Sequence, residues 1–348
     1  MPARHVLIMS WGMPQILRFT SKAFSALGYH PTIIFRGLNG GPTWARDAAT
    51  FIKANRPEYV VSWQRLYGEA RPVWQAGKDT GARFVCMDFG VWPHYDTAYY
   101  DAEGENRSAA IVGTFDALEA DAAQRDATDS MLPIVARMAD AMEMSDKEAA
   151  RAAGKVIPGG LPNEKDFIFL ALQRCARGRP DKVLELDAVP SRRDPARIAA
   201  DVIEECKRQN RYVIIKQHPQ GADIATSIPL RGPHHLLMPK FEGKTENNLL
   251  FGWCVWNMAH LVTVNSTTWQ FAAACGKPTS VLGRGWFSGN GIVEECRLIR
   301  DAIPTPETHA ERGKRFVAMM LSRQLRHHET KDSRKVRPIL RLIHPGRF

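Results

Sequence analysis

A strand–helix alternation that begins at residue 5, breaks at a Pro/Gly-rich turn and then starts again restricts this chain to a short list of folds. His5–Met9 reads as a strand, Pro14–Leu27 as a helix and Pro31–Phe35 as a strand. Gly40–Pro42 reads as a turn, Ala45–Asn55 as a helix and Glu58–Ser62 as a strand. A helix near Gly68–Gly77 precedes the strand Arg83–Met87. This rhythm predicts a parallel sheet with helices on both faces. Asp88–Tyr100 reads as a loop rich in aromatics, and Asp116–Ala153 as mostly helical. Pro158, Gly159, Gly160, Pro162 and Asn163 form the linker. Beyond it come the strand Phe167–Leu172, the amphipathic helix Pro195–Gln209, the strand Tyr212–Ile215, the helix Leu249–Met258 and the strand Leu261–Val264. The expected architecture is α/β: two Rossmann-like domains, 1–160 and 161–305, facing a cleft, followed by a basic helical tail, 306–348. The chain shows no internal repeat and no low-complexity tract.

The stretch Val262–Gly283 carries the strongest chemical signal. A β-forming run leads into Asn265, Ser266, Thr267 and Thr268, four side chains suited to a helix N-terminus. Trp269–Cys275 is a short apolar helix stopped by Gly276 and Pro278, and Thr279–Leu282 resumes as a buried strand. A hydroxyl-rich turn opening a helix after a strand is an anion seat, because free N–H groups point outward there. For the turn alone, a plain N-cap is the better reading of these residues. A second strand end changes the balance. Tyr212–Ile215 delivers Lys216, Gln217 and His218 before Pro219, and ligands of open α/β sheets lie outside the carboxyl ends of strands. Lys216 offers a point charge and His218 a directional donor for a phosphate.

Net charge is +10, and its placement matters more than its size. Eleven Lys or Arg lie within 312–348, against the acids Glu311, Glu329 and Asp332. Such a tail suits an anionic membrane surface, a nucleic acid or a charged acceptor. A solvated helical face, with Phe316, Met319, Met320, Ile339, Leu340 and Ile343 turned to the body, is the alternative. The six cysteines are scattered without a CxxC, which argues for reduced core thiols and against a zinc site. His327 and His328 are adjacent and do not share a helix face as a metal pair would. Gly37–Gly41 (GLNGG) lacks the dinucleotide-binding spacing and reads as a turn. With no run long enough to span a bilayer and no cleavable leader, a cytoplasmic protein, at most peripheral to the inner membrane, is expected.

Taken together, four segments resemble the capsule polysaccharide biosynthesis and export family. They are FLALQ (Phe169–Gln173), KQHP (Lys216–Pro219), VNSTTWQFAAACGKPTSVLGRGWF (Val264–Phe287) and MDFGVWPHYDTAYYDAEGENRSA (Met87–Ala109). The characterised members of that family look like Kdo transferases of GT-B type. The resemblance implies a glycosyltransferase that moves a sugar from a nucleotide-sugar donor to a hydroxyl of a glycan or glycolipid acceptor. The reaction is expected to be inverting, with neither metal nor cofactor. It implies that His218, Ser266 and Thr267 bind the donor phosphate, with charge added by Lys216, and that Asp88 is the base. His218 also enters the catalytic set, as a group on the departing phosphate. Trp92, His94, Tyr95 and Asn106 fall in the implied acceptor loop.

Two positions depart from the family pattern. Phe89 stands where a second acid is usual, leaving Asp88 as the base or else Asp96, Asp101 or His94. Gln270 stands where an acid usually meets the donor ribose. An amide can bond a ribose hydroxyl but carries no charge, so CMP- and UDP-sugars both stay open as donors. The tail and the aromatic loop also allow a transferase acting on a hydroxylated base in DNA. Phe89 and Gln270 together allow a non-catalytic binder of nucleotide or glycan.

Overall fold

The computed structural model describes residues 4–10, 13–35, 44–63, 71–103, 109–162, 166–172, 194–218, 223–240 and 244–345. The Gly37–Gly41 turn lies outside them. In chain order the first elements are β1 (Arg4–Ser10), α1 (Pro14–Ala26), β2 (Tyr29–Phe35), α2 (Trp44–Asn55), β3 (Tyr59–Trp63), α3 (Arg71–Thr80), β4 (Arg83–Phe89) and β5 (Thr97–Asp101). Three helices follow, α4 (Phe115–Ala120), α5 (Ala122–Asp140) and α6 (Asp146–Val156). Next come β6 (Ile168–Ala171), α7 (Pro195–Arg208), β7 (Val213–Lys216), β8 (Arg231–Gly232), β9 (His235–Met238) and α8 (Lys244–Asn257). After them lie β10 (His260–Thr263), α9 (Thr268–Ala274), β11 (Thr279–Val281), β12 (Glu294–Glu295) and α10 (Ile299–Ala302). The chain finishes with α11 (Ala310–Ser322), β13 (Gln324–Arg326) and α12 (Ser333–Ile343).

These elements form two compact units. Unit 1 is Met1–Thr128 with Met319–Phe348, and unit 2 is Asp129–Ala318. The division therefore falls inside α5 and again inside α11, not at residue 160 and residue 305. The Pro158–Pro162 turn is internal to unit 2. Gly159 and Gly160 there adopt positive φ, and the Arg231 guanidinium binds the carbonyls of Pro158 and Gly160.

The sheet of unit 1 has the order β13-β5-β4-β3-β1-β2, parallel through β2, β1, β3 and β4. Strands β5 and β13 add antiparallel. Val6, Leu7, Ile8 and Met9 of β1 are all buried, as a strand covered on both faces requires. One face packs Leu7, Met9, Val60, Phe84 and Cys86 against α2 and α3. The other packs Val6, Ile8, Val61, Val85 and Met87 against α1 and α12. In α12 the buried residues Val336, Ile339, Leu340 and Ile343 repeat at helical spacing, and Asp332 caps the helix through the Arg334 N–H. The basic end of the chain is thus half core. Its apolar stripe completes a sheet that begins at residue 4, while Arg334, Lys335, Arg337 and Arg341 stay exposed.

The sheet of unit 2 has the order β12-β11-β10-β6-β7-β9-β8, with only the edge strand β8 antiparallel. Numbered from β6, this is the doubly wound order, whose switch point lies between β6 and β10. Ile168, Leu170, Val213, Ile215 and Val262 face α7 and α10 in one core. Among the described residues no helix is long and apolar enough to cross a membrane.

The fold makes a direct prediction about the tail. Leu340→Ala is expected to cost about 2–5 kcal/mol in urea unfolding, the usual range for a buried leucine. Arg341→Ala, one residue on and exposed, is expected to stay within about 0.5 kcal/mol.

Candidate functional site

In unit 2 the register places two of the expected motifs on one sheet edge. Lys216 is the last residue of β7 and pairs with Ala171 of β6, which pairs with Thr263 of β10. Their backbones are therefore two strand spacings apart, roughly 9–10 Å, at the carboxyl ends beside the switch point. The Thr263 hydroxyl donates to the Ala171 carbonyl at 2.8 Å and accepts the Ser266 N–H at 3.3 Å, which fixes the start of the turn. The Ser266 hydroxyl accepts the Thr268 N–H at 3.3 Å, so it caps α9. No hydrogen bond of the Thr267 hydroxyl occurs among the described residues, and the side chain is half-buried. Gly283 after β11 has no room for a side chain, because a Cβ there would lie 2.9 Å from the Val264 carbonyl. The loops after β10 and β11 are thereby held together.

Of the three residues delivered by β7, one is structural. The Gln217 amide donates to the Met238 carbonyl at 3.2 Å and accepts the Ile224 N–H at 2.9 Å. Lys216 is different. Its ammonium lies 5.8 Å from the centre of the Phe251 ring, and no carboxylate pairs with it among the described residues. Desolvation by its surroundings pulls its pKa below the ordinary lysine value. His218 follows, half-buried.

The adjoining turn and helix hold unpaired polar atoms. Among the described residues, both amide atoms of fully buried Gln270 lack a hydrogen-bond partner, as does Oδ1 of buried Asn265. Buried amides are nearly always bonded, and leaving one unpaired costs about 1–3 kcal/mol. By contrast, Trp269 and Phe287 are ordinary core, with ring centroids 5.6 Å apart.

In unit 1 the expected aromatic loop is partly strand. Asp88 and Phe89 end β4, and Thr97–Asp101 returns antiparallel as β5, with Asp88 opposite Tyr99 and Phe89 opposite Ala98. Tyr99 and Tyr100 are fully buried and cannot form a stacking platform. Alternation puts Asp88 on the α2/α3 face and Phe89 on the other. There the Phe89 ring meets Trp63 at 5.4 Å and His94 at 5.6 Å, so the residue replacing the second acid fills the core. Asp88 accepts the Phe89 N–H at 2.8 Å. Asp101 is fully buried and accepts the N–H groups of Glu103 and Ala110 at 2.8 and 2.7 Å, which makes it a loop anchor rather than a base.

The tight turn from Gly90 to Asp96 holds Trp92 and His94, both half-buried. His94 Nδ1 lies 2.6 Å from the Gly90 carbonyl. The Gln324 amide on β13 clamps the turn, accepting the Val91 N–H and donating to the Trp92 carbonyl, each at 2.8 Å. Tyr95 sits in the same turn, its side chain outside the described residues, as is Asn106 altogether. Sequence reasoning passed over a pocket of about 520 Å³ in this unit, lined by Asp96, Arg326, His327 and His328 beside the start of α1. Asp96 was a spare candidate, and the basic residues were read only as tail. Among the described residues no three His, Cys, Asp or Glu side chains group as metal ligands would.

No protein-family model and no curated protein sequence matches the chain. Among solved structures it is similar to a Thermosulfurimonas dismutans KpsC, a beta Kdo 2,7 transferase, with TM-score 0.50 and 10% identity over 98% of this chain and 99% of that one. A beta Kdo 2,4 transferase KpsC of the same organism matches with TM-score 0.49 and 12% identity over 89% of both chains. A Methanocaldococcus jannaschii UDP-GlcNAc 2-epimerase, solved with UDP-GlcNAc and UDP, matches with TM-score 0.37 and 13% identity over 90% of this chain and 98% of that one. The likeness to the first is one of fold. Its coverage of nearly all of both chains bears out two Rossmann-like units.

The clamp on the Gly90 turn is testable. A Cβ at Gly90 would lie 2.2 Å from the Thr97 hydroxyl and 2.6 Å from Gln324 Oε1. Gly90→Ala is therefore expected to destabilise unit 1 by about 1–3 kcal/mol in chemical denaturation.

Proposed function

We propose that this chain is a glycosyltransferase whose nucleotide-sugar donor binds at the carboxyl edge of the unit 2 sheet. The observation that carries this reading is Lys216, a half-buried, desolvated ammonium with no carboxylate partner among the described residues, on the same edge as the Ser266–Thr267 turn. A cation kept out of water without an anion is costly unless a ligand brings one. On this reading Lys216 and His218 hold the donor phosphate, with the Thr267 hydroxyl and the Ser266-capped turn beside them. The unpaired Gln270 amide is kept for a ribose hydroxyl. The structural match that covers nearly the whole chain is a Kdo transferase, which supports sugar transfer as the chemistry.

The step is a single displacement with inversion. The acceptor hydroxyl gives its proton to the Asp88 carboxylate as its oxygen bonds to the anomeric carbon. The bond from that carbon to the donor phosphate breaks, and the electron pair leaves with the phosphate. Lys216 and His218 stabilise that charge, the part a metal plays in other transferases. The acceptor is a glycan or glycolipid.

A thermal-shift screen against CMP, UDP, GDP and dTDP tests the donor site, since a ligand of the folded state raises the melting temperature. At least one nucleotide is expected to do so. Lys216→Met should weaken it by roughly 10–100-fold, the loss of a charge-assisted bond of about 1.5–3 kcal/mol. Affinity should fall as pH rises toward the ordinary lysine value of 10.5, because burial already favours the neutral amine and the anion binds the charged form. Gln270→Met should act in two directions. It raises the melting temperature of the free protein by removing an unpaired buried amide, and it weakens nucleotide binding. Retained nucleotide affinity in Lys216→Met would sink the donor assignment. Asp88→Asn should lower turnover at least 100-fold with donor affinity unchanged, and full turnover would remove it as the base.

A further inference from the structure

The pocket of about 520 Å³ in unit 1 has charge of both signs on its walls. Arg326 and His328 are exposed there, and Asp96 stands on the same lining. Neither Arg326 nor His328 forms an ion pair with Asp96 among the described residues. The β13–β5 register sets Arg326 opposite Thr97, the residue after Asp96, so the two charges share one wall of the cavity without pairing. Asp96 ends the turn clamped by Gln324, and Arg326 ends β13, whose pairing with Thr97 sets its position.

His327 is the fixed wall between them. Its Nε2–H donates to the Thr97 carbonyl at 3.0 Å, and its ring packs on Trp63 at 5.8 Å. Desolvation lowers its pKa, so the ring is neutral near pH 7 and leaves Nδ1 as an acceptor. The positive group on the pocket is therefore Arg326, with the His328 ring beside it as a further hydrogen-bonding group. Lys331 adds to it from 5.7 Å above the Phe19 ring, which forms an apolar wall. The Gln15 N–H in the first turn of α1 has no acceptor among the described residues, and α1 starts without a side-chain cap.

We propose that this pocket binds a monosaccharide carrying an anionic group, phosphate or carboxylate, with Arg326 and His328 on the anion and Asp96 accepting a sugar hydroxyl. Guanidinium forks match phosphate and carboxylate alike. The volume falls in the usual range for small-molecule sites, with room for a hexose. Phe19 offers the flat apolar face that a sugar ring covers. The site goes beyond the donor reading and does not depend on it, since the proposed donor residues lie in unit 2.

Isothermal titration of the full chain, without nucleotide, tests it with glucose 6-phosphate, glucuronate, glucose and inorganic phosphate. At least one of the two charged sugars is expected to bind tenfold or more tightly than both glucose and phosphate, and which one does so names the anion. Arg326→Gln should weaken that sugar about tenfold. Asp96→Ala should reduce it to the level of phosphate while leaving phosphate itself unchanged or tighter. In histidine NMR the His328 ring should shift on binding in the parent chain. Since Arg326, His328 and Asp96 are exposed, these variants are expected to keep the parent melting temperature. Charged sugars no tighter than phosphate, or affinities untouched by both substitutions, would overturn the proposal. Failure here leaves the nucleotide thermal shifts in place, so the two readings fail separately.

Discussion

Unit 1 depends on the pairing of β13 with β5. That short antiparallel contact, Gln324 to Tyr99 and Arg326 to Thr97, brings the end of the chain onto a sheet begun at its start. Buried Arg323, just before it, gives two hydrogen bonds to Gln124 Oε1 at 3.0 and 2.7 Å, so the return is anchored by a cation in the core. Gln324 then holds the turn that carries Trp92 and His94, and His327 binds the Thr97 carbonyl. The contact also sets α12 against the open face of the sheet. Remove it and the turn, the pocket wall and the core lose their common support.

Unit 2 shows a different economy. Its sheet is a regular doubly wound array, and its strand interiors are apolar. The irregular features gather at one edge: a desolvated lysine, a fully buried amide and a buried asparagine oxygen without partners. Each is destabilising by itself. These three stand at the carboxyl ends beside the switch point, where a doubly wound sheet takes its ligand.

Much of this was legible in the sequence. The alternation of β-forming runs and amphipathic helices shows strands β1–β4, β6, β7, β10 and β11, which helices join in local βαβ fashion, but not β8, β9 or β12, which follow no helix of their own. Lys216 and the Ser266–Thr267 turn were readable because each follows its strand directly. Three features were not. Thr97–Asp101 looked like loop since it is joined to β4 by a turn around Pro93, and nothing nearby in sequence announces its partner β13. The true division of the chain was hidden for a similar reason: a contiguous reading cannot assign Ser333–Ile343 to a sheet that starts at Arg4. The fate of Phe89 was likewise a matter of facing, settled by which side of β4 meets Trp63.

The placement of α12 also bears on how the protein is made. Unit 2 is one uninterrupted stretch, so all of its strands are synthesised before β13 and α12. Unit 1 must wait. Until the last residues appear, Ile8, Val61, Val85 and Tyr100 lack the helix that covers them. The sheet of unit 1 therefore stays an apolar surface exposed to chaperones and to other nascent chains until α12 is made, and unit 1 closes only after unit 2 has been synthesised.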